Sequence, residues 1–236
     1  MSGIKGNAPI SPMSLIIDPD IILVDSGDLT ITLISSSGNG SIKHITSIQA
    51  SAEECRKSYF LGPLIASGGE ELTLGEGPPK RANGGELGVD YEDKEGVLIW
   101  LAHLHGLSVK EMSGLELDRI SIAGVWHATL LWKYREDNNM ATLGSWFNEW
   151  YMTFMKDNIF DGAAAKALAM SCYTFKHAEG FAYVTKWLVL NHVDYINEHF
   201  PTGFKAKGLR LPHAEFVGKW KQTATLRLLR KQSNWE

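Results

Sequence analysis

Asp25-Ser26-Gly27-Asp28-Leu29-Thr30-Ile31-Thr32-Leu33-Ile34 is the stretch that decides the fold. After the Ser-Gly break, Leu29, Ile31 and Leu33 alternate with Thr30 and Thr32. Successive side chains of a strand point to opposite faces, so a period of two predicts a strand with one apolar and one polar side. Upstream, the run from Leu15 to Val24 reads as part of the same β-rich opening. Downstream, Ser35 to Ser41 supplies a turn, and Ile42, Ile45 and Ile48 a return strand, which predicts a hairpin. A short helix is expected next, from Ala50 to Leu61. Residues 66–88 are rich in Gly, Pro and Glu and read as a long exposed loop. The polar, Pro-containing residues 1–14 read as a disordered N-terminus.

The pattern changes after Glu92. Val97, Trp100, Leu101 and Leu104 recur at helical spacing, and His105-Gly106 places a glycine where a helix ends. Leu115 to Tyr134, Leu143 to Met155 and Ala163 to Phe175 continue in the same manner, and Phe181, Val184 and Leu188 mark another helix. Leu211-Pro212 opens a last one, with Val217, Trp220, Ala224 and Leu228 on one face. All eight tryptophans lie at or beyond Trp100, so the helical portion carries the large aromatic packing groups. The expectation is an α+β fold, a small sheet packed against a helical cluster.

Composition bounds the function. An apolar fraction of 44%, a charged fraction of 21% and a net charge of -4 are ordinary for a globular chain and single out no partner class. No apolar run is long enough to span a membrane. Met1 to Ile10 lacks the apolar core of a signal peptide, and Cys55 and Cys172 are too few for a disulfide framework. These features predict an intracellular protein, in which Asn39-Gly40-Ser41 is a turn rather than a glycan acceptor.

Catalytic and metal patterns are equally sparse. His103 and His105 stand two apart and diverge on a helix, and neither cysteine has a ligand-spaced partner, so no metal site is predicted. No nucleophile elbow and no phosphate-cradling glycine loop is present. Cys172 reads as a small buried apolar group and His127 as a core histidine. Glu53-Glu54 and Glu70-Glu71 read as solvated pairs, since adjacent side chains diverge. No catalytic, cofactor-binding or metal-binding residue is therefore assigned. Between Lys205 and Lys231, eight basic residues face one acid, Glu215. This basic segment leaves nucleic-acid binding as one alternative. Solvated charge opposite an apolar helix face accounts for it as simply. An enzyme with an unrecognised site is the other alternative.

Read in order, these fragments resemble the BTB/POZ domain, in the diverged form common among filamentous-fungal proteins. Asp25 to Leu33 is similar to the family's first strand and Ile42 to Ile48 to its second. Cys55-Arg56-Lys57-Ser58-Tyr59-Phe60-Leu61-Gly62-Pro63, followed by Gly68-Gly69-Glu70-Glu71-Leu72, resembles the family's Phe-Arg-Lys-Met-Leu-Gly-Pro helix and acidic glycine turn. Here Cys55 stands in place of the Phe, and Ala52-Glu53-Glu54 in place of the usual Ser-Pro. Leu87 to Gly106, Leu117 to Tyr134 and the Trp146 to Trp150 helix follow in the family's order.

The resemblance implies a BTB/POZ-like unit over residues 15–155 and a helical extension over 156–236. It implies a non-enzymatic protein–protein interaction module that homodimerises by burying a self-complementary apolar face. An adaptor role toward cullin-type ligases or transcription cofactors belongs to the same implication. No cargo-reading segment is legible in this sequence, and the residues of the interface are not assigned.

Overall fold

The computed structural model describes residues 14–36, 42–67, 70–74, 93–113, 120–136, 143–157, 161–191, 200–201 and 204. Within these, the chain is α+β, a five-stranded sheet built from its first third and followed by helices. Strand β3 (Leu29–Ser36) and strand β4 (Ile42–Ala50) form the expected antiparallel hairpin. Its register sets Leu29 against Ala50, Ile31 against Ile48 and Leu33 against Thr46, all of them buried. A slip of one residue would turn this whole set toward solvent, so burial of one face fixes the pairing.

The opening stretch is three strands. β1 (Ser14–Ile17) and β2 (Ile21–Ile22) both run parallel to β4 along its outer side. Asp18-Pro19-Asp20 separates them, and proline has no N–H to give to a ladder. Ser14, read from sequence as the end of a disordered segment, begins β1; residues 1–13 lie outside the described residues.

The helix expected from Ala50 to Leu61 is instead two short ones, α1 (Ala52–Arg56) and α2 (Leu61–Ala66). Ser51 caps the first by accepting from the backbone N–H of Glu54. The loop expected over 66–88 is also interrupted. Glu71–Leu74 forms β5, parallel to β3 on the far side of the hairpin, so the strand order is β1-β4-β3-β5. A parallel neighbour requires a crossover, and α1 and α2 provide it between β4 and β5. Residues 75–92 lie outside the described residues.

The remaining helices are α3 (Lys94–Leu104), α4 (Val109–Ser113), α5 (Ile122–Arg135), α6 (Leu143–Asp157), α7 (Gly162–Thr174) and α8 (Ala178–Asn191). Asp93, Ser121 and Asp161 cap α3, α5 and α7 by accepting from the N–H three residues on. Gly106 ends α3 at a φ of 70°, and the N–H of Leu107 returns to the carbonyl of Ala102. The left-handed conformation suits glycine because it carries no Cβ. α5 begins later than the sequence pattern placed it: Ile120 and Ser121 precede the helix, and residues 114–119 are outside the described set.

The apolar stripe read on α3 is only part of its buried surface. Every residue from Gly96 to Ala102 is buried, as expected of a helix enclosed by core. A Cβ added at Gly96 would lie 2.4 Å from the Cβ of His127 and 3.1 Å from the backbone N of Ala128. Gly96 thus sets the approach of α3 to α5. Gly96→Ala is expected to cost about 1–3 kcal/mol, because backbone atoms must move to admit the methyl group. Urea unfolding of the purified variant checks this; an unchanged midpoint would mean that the two helices are not so close.

Candidate interaction surface

The rim of the sheet carries exposed apolar side chains. Leu15, Ile16 and Ile17 of β1 and Ile22 of β2 are all exposed, Ile17 at 77%. Edge strands usually carry charge or proline that discourages further pairing. Here three consecutive apolar residues occupy the edge, and Pro19 follows them. Between β1 and β2, Asp18 holds the rim to the hairpin. Its carboxylate accepts from the Thr46 hydroxyl at 2.8 Å and from Lys94 Nζ at 3.3 Å, and lies 3.3 Å from His44 Nδ1. Partial burial would raise its pKa, but the hydrogen bonds from Thr46, His44 and Lys94, together with the lysine charge, hold it below the usual carboxylate value.

The turn between α1 and α2 is fixed by a group far along the chain. Glu136, just past α5, is buried, and its carboxylate accepts from the Ser58 hydroxyl, the backbone N–H of Tyr59 at 3.0 Å and the indole N–H of Trp100 at 3.0 Å. Ser58 Oγ in turn accepts from the N–H groups of Phe60 and Leu61. This network stops α1 and starts α2, and it leaves Tyr59 and Leu64 exposed. Cys55, at the position where the resemblance places Phe, is wholly buried.

A second set of exposed side chains lies on α8. Gly180, Val184 and Leu188 are buried, and α8 packs against α7. Glu179, Ala182, Tyr183, Lys186, Val189 and Leu190 are exposed, with Tyr183 at 54%, Val189 at 47% and Leu190 at 64%. Their spacing of three, four and seven residues puts them on one outward stripe. Phe181, read from sequence with Val184 and Leu188, is only half-buried.

The residues weighed for chemistry occupy structural positions. His105 Nδ1 lies 2.8 Å from the carbonyl of Leu101, and Nε2 accepts from the backbone N–H of Ser51 at 2.9 Å, which assigns the ring proton to Nδ1. His103 packs edge-on against Trp132, and burial lowers its pKa. His127 is buried 4.0 Å from Asp93 and beside the ring of Phe204. Burial pushes the thiols of Cys55 and Cys172 up to about 12, with nearby carboxylates adding to the effect at Cys55; both are free. Glu95, partly buried, has its pKa raised by burial, against the lowering effect of hydrogen bonds from the hydroxyl and N–H of Ser121.

Glu53, Glu70 and Glu71 are exposed, and Glu54 pairs with Lys57. Among the described residues no group of three or more His, Cys, Asp or Glu side chains is placed to hold a metal ion. No helix there is long and apolar enough to cross a membrane. The basic segment from Lys205 to Lys231 lies outside the described residues. No family model, curated protein or solved structure matches this chain.

Proposed function

We propose that this chain is an intracellular, non-enzymatic protein–protein interaction module of BTB/POZ type that self-associates. The observation that carries the reading is the apolar surface left on two separate elements, the β1–β2 rim and the outward stripe of α8. Scattered apolar residues are normal on any surface, whereas clusters along one element are characteristic of docking sites. The order of elements supports the family assignment. A hairpin is followed by paired short helices, a helix closed by His105-Gly106, a helix running through Trp132-Lys133-Tyr134, and the Trp146–Trp150 helix. The histidines and cysteines weighed for chemistry, His103, His105, His127, Cys55 and Cys172, are engaged in core packing and internal hydrogen bonds, which supports binding over chemistry.

A stable interface typically buries about 1,600 Å² in total, so the polar surface around these clusters would share in it. Light scattering after size exclusion, over a dilution series of the full chain, tests the reading. A dimer that persists at low micromolar concentration is the expected result. A strict monomer throughout the series overturns self-association.

A further inference from the structure

We propose that His177 is a proton-sensitive clasp: its neutral imidazole holds the first turn of α8 against α6, and protonation of the ring lets that turn go. The inference is independent of the self-association reading. His177 immediately precedes α8. Its Nδ1 accepts from the backbone N–H of Gly180 at 3.0 Å, one of the donors that a helix leaves without a partner at its start. Its Nε2 lies 2.9 Å from Oδ1 of Asn148 on α6. A backbone N–H can only donate, so Nδ1 must keep a lone pair. The proton of the neutral ring is thereby assigned to Nε2, where it donates to Asn148. One imidazole caps α8 and ties it to α6.

The surroundings are fitted to that ring. Tyr151 and Phe147, both on α6, place their ring centroids 4.6 and 5.8 Å from it. Gly180 is buried, and a Cβ there would come 2.5 Å from Nδ1 of His177 and 2.8 Å from Cζ of Tyr151. The turn before α8 is also strained. Lys176 has a φ of 56°, a left-handed conformation that is costly for a residue with a Cβ. It is held there by the N–H of His177, which donates to the carbonyl of Cys172 at 2.8 Å, and by its own N–H, which donates to the carbonyl of Tyr173 at 3.1 Å.

Protonation acts on this corner in one direction. The second proton must go on Nδ1, facing the N–H of Gly180, so the acceptor becomes a donor and the cap is lost. The new charge then stands at the positive end of the α8 dipole. The rings of Phe147 and Tyr151 attract a cation, but that attraction does not restore the acceptor that Gly180 needs. Among the described residues, the charged neighbours along the chain are Lys176 and Glu179, which are exposed, opposite in sign and screened by solvent. On α6, Glu149 is engaged with the N–H of Val109, and burial raises the pKa of the Tyr151 hydroxyl, so it stays neutral. The Cys172 thiol of α7, raised to about 12, is neutral as well. The clasp therefore contributes fully at higher pH and is lost as the ring charges, which for histidine falls between about pH 8 and pH 5. Once it opens, Lys176 can return to an ordinary φ, so the turn is biased to move.

Amide hydrogen exchange of the full chain at about pH 8 and about pH 5 tests the proposal. Rates are corrected for the pH dependence of unstructured amides and compared with those of α5. Protection at Gly180 and Phe181 should fall about tenfold relative to α5 at the lower pH. In His177→Asn the side-chain amide oxygen can cap the helix at either pH, so that fall should disappear. The imidazole nitrogen chemical shifts at about pH 8 should report the Nε2–H form. An Nδ1–H form, or protection at Gly180 and Phe181 that does not change relative to α5, overturns the clasp, and neither result requires a variant. The same fall in His177→Asn as in the original chain overturns it too, because the sensitivity would then lie in another group.

Discussion

Replacing Glu136 with leucine is expected to cost about 3–5 kcal/mol of folding free energy, among the largest effects of any single substitution outside the apolar core. The reason is the number of donors that converge on one buried carboxylate. Trp100 is fully buried, and its indole N–H donates to Glu136. The backbone N–H of Tyr59 and the hydroxyl of Ser58 do the same. Hydrogen bonds to a charged group contribute about 1.5–3 kcal/mol each, and a buried donor left without a partner loses about 1–3 kcal/mol. Leucine removes all three acceptor contacts at once and returns only a modest gain from apolar contact. Three elements would loosen together, because the carboxylate joins the end of α5, the middle of α3 and the α1–α2 turn.

Urea denaturation checks this prediction through the transition midpoint. Glu136→Gln keeps the shape and one acceptor oxygen, so it should cost less, about 1–3 kcal/mol. Trp100→Phe removes one donor and should couple to Glu136→Leu: the double variant should lose less than the two single losses combined. A midpoint for Glu136→Leu within about 0.5 kcal/mol of the original would show that the network contributes nothing to stability.

The hairpin was legible because its information is local. Leu29, Ile31 and Leu33 alternate with threonines, and one register buries all three. Helix ends were legible for a similar reason: His105-Gly106 names its own stop, and the left-handed φ of Gly106 is what that residue supplies. β5 was not. Glu71–Leu74 is only four residues long, follows two glycines and precedes a Gly/Pro-rich run, so composition there signalled a loop. Its identity as a strand comes from β3, some forty residues earlier in the chain.

The break between α1 and α2 has the same character. Ser58-Tyr59-Phe60 contains no glycine or proline to stop a helix, and the stop is made by a carboxylate 78 residues away. Nothing near Glu136 in the sequence marks it as buried. The α8 face shows a further limit. Apolar residues surround that helix, so periodicity selected Phe181, Val184 and Leu188 without revealing that Tyr183, Val189 and Leu190 would remain outside.

The second large effect tests how the chain beyond residue 155 is joined to what precedes it. Trp126→Ala is expected to cost about 3–5 kcal/mol. Trp126 lies on α5 and is fully buried, and its indole N–H donates to Ser171 Oγ at 3.0 Å, with the carbonyl of Ala167 at 3.4 Å. Both of those residues are on α7. The rings of Phe200 and Phe204 meet it edge-on, with centroids 5.9 and 5.2 Å away. One side chain therefore joins the helix that packs on α3 to the helix that carries α8. Alanine would leave a large cavity at that junction.

Trp126→Phe retains most of the ring and loses the N–H. Ser171 Oγ keeps a bond to the Ala167 carbonyl, so this variant should cost only about 1–2 kcal/mol. The shape of the unfolding curve matters as much as its midpoint. If the extension shares one cooperative core with the rest, Trp126→Ala lowers the midpoint of a single transition and leaves the slope unchanged. If residues 156–236 are a separately folding unit, the same substitution splits the curve in two, because it weakens the contact between the units more than either unit itself. A single transition is the expected result, since Trp126, Leu168 and Val184 belong to one continuous buried cluster.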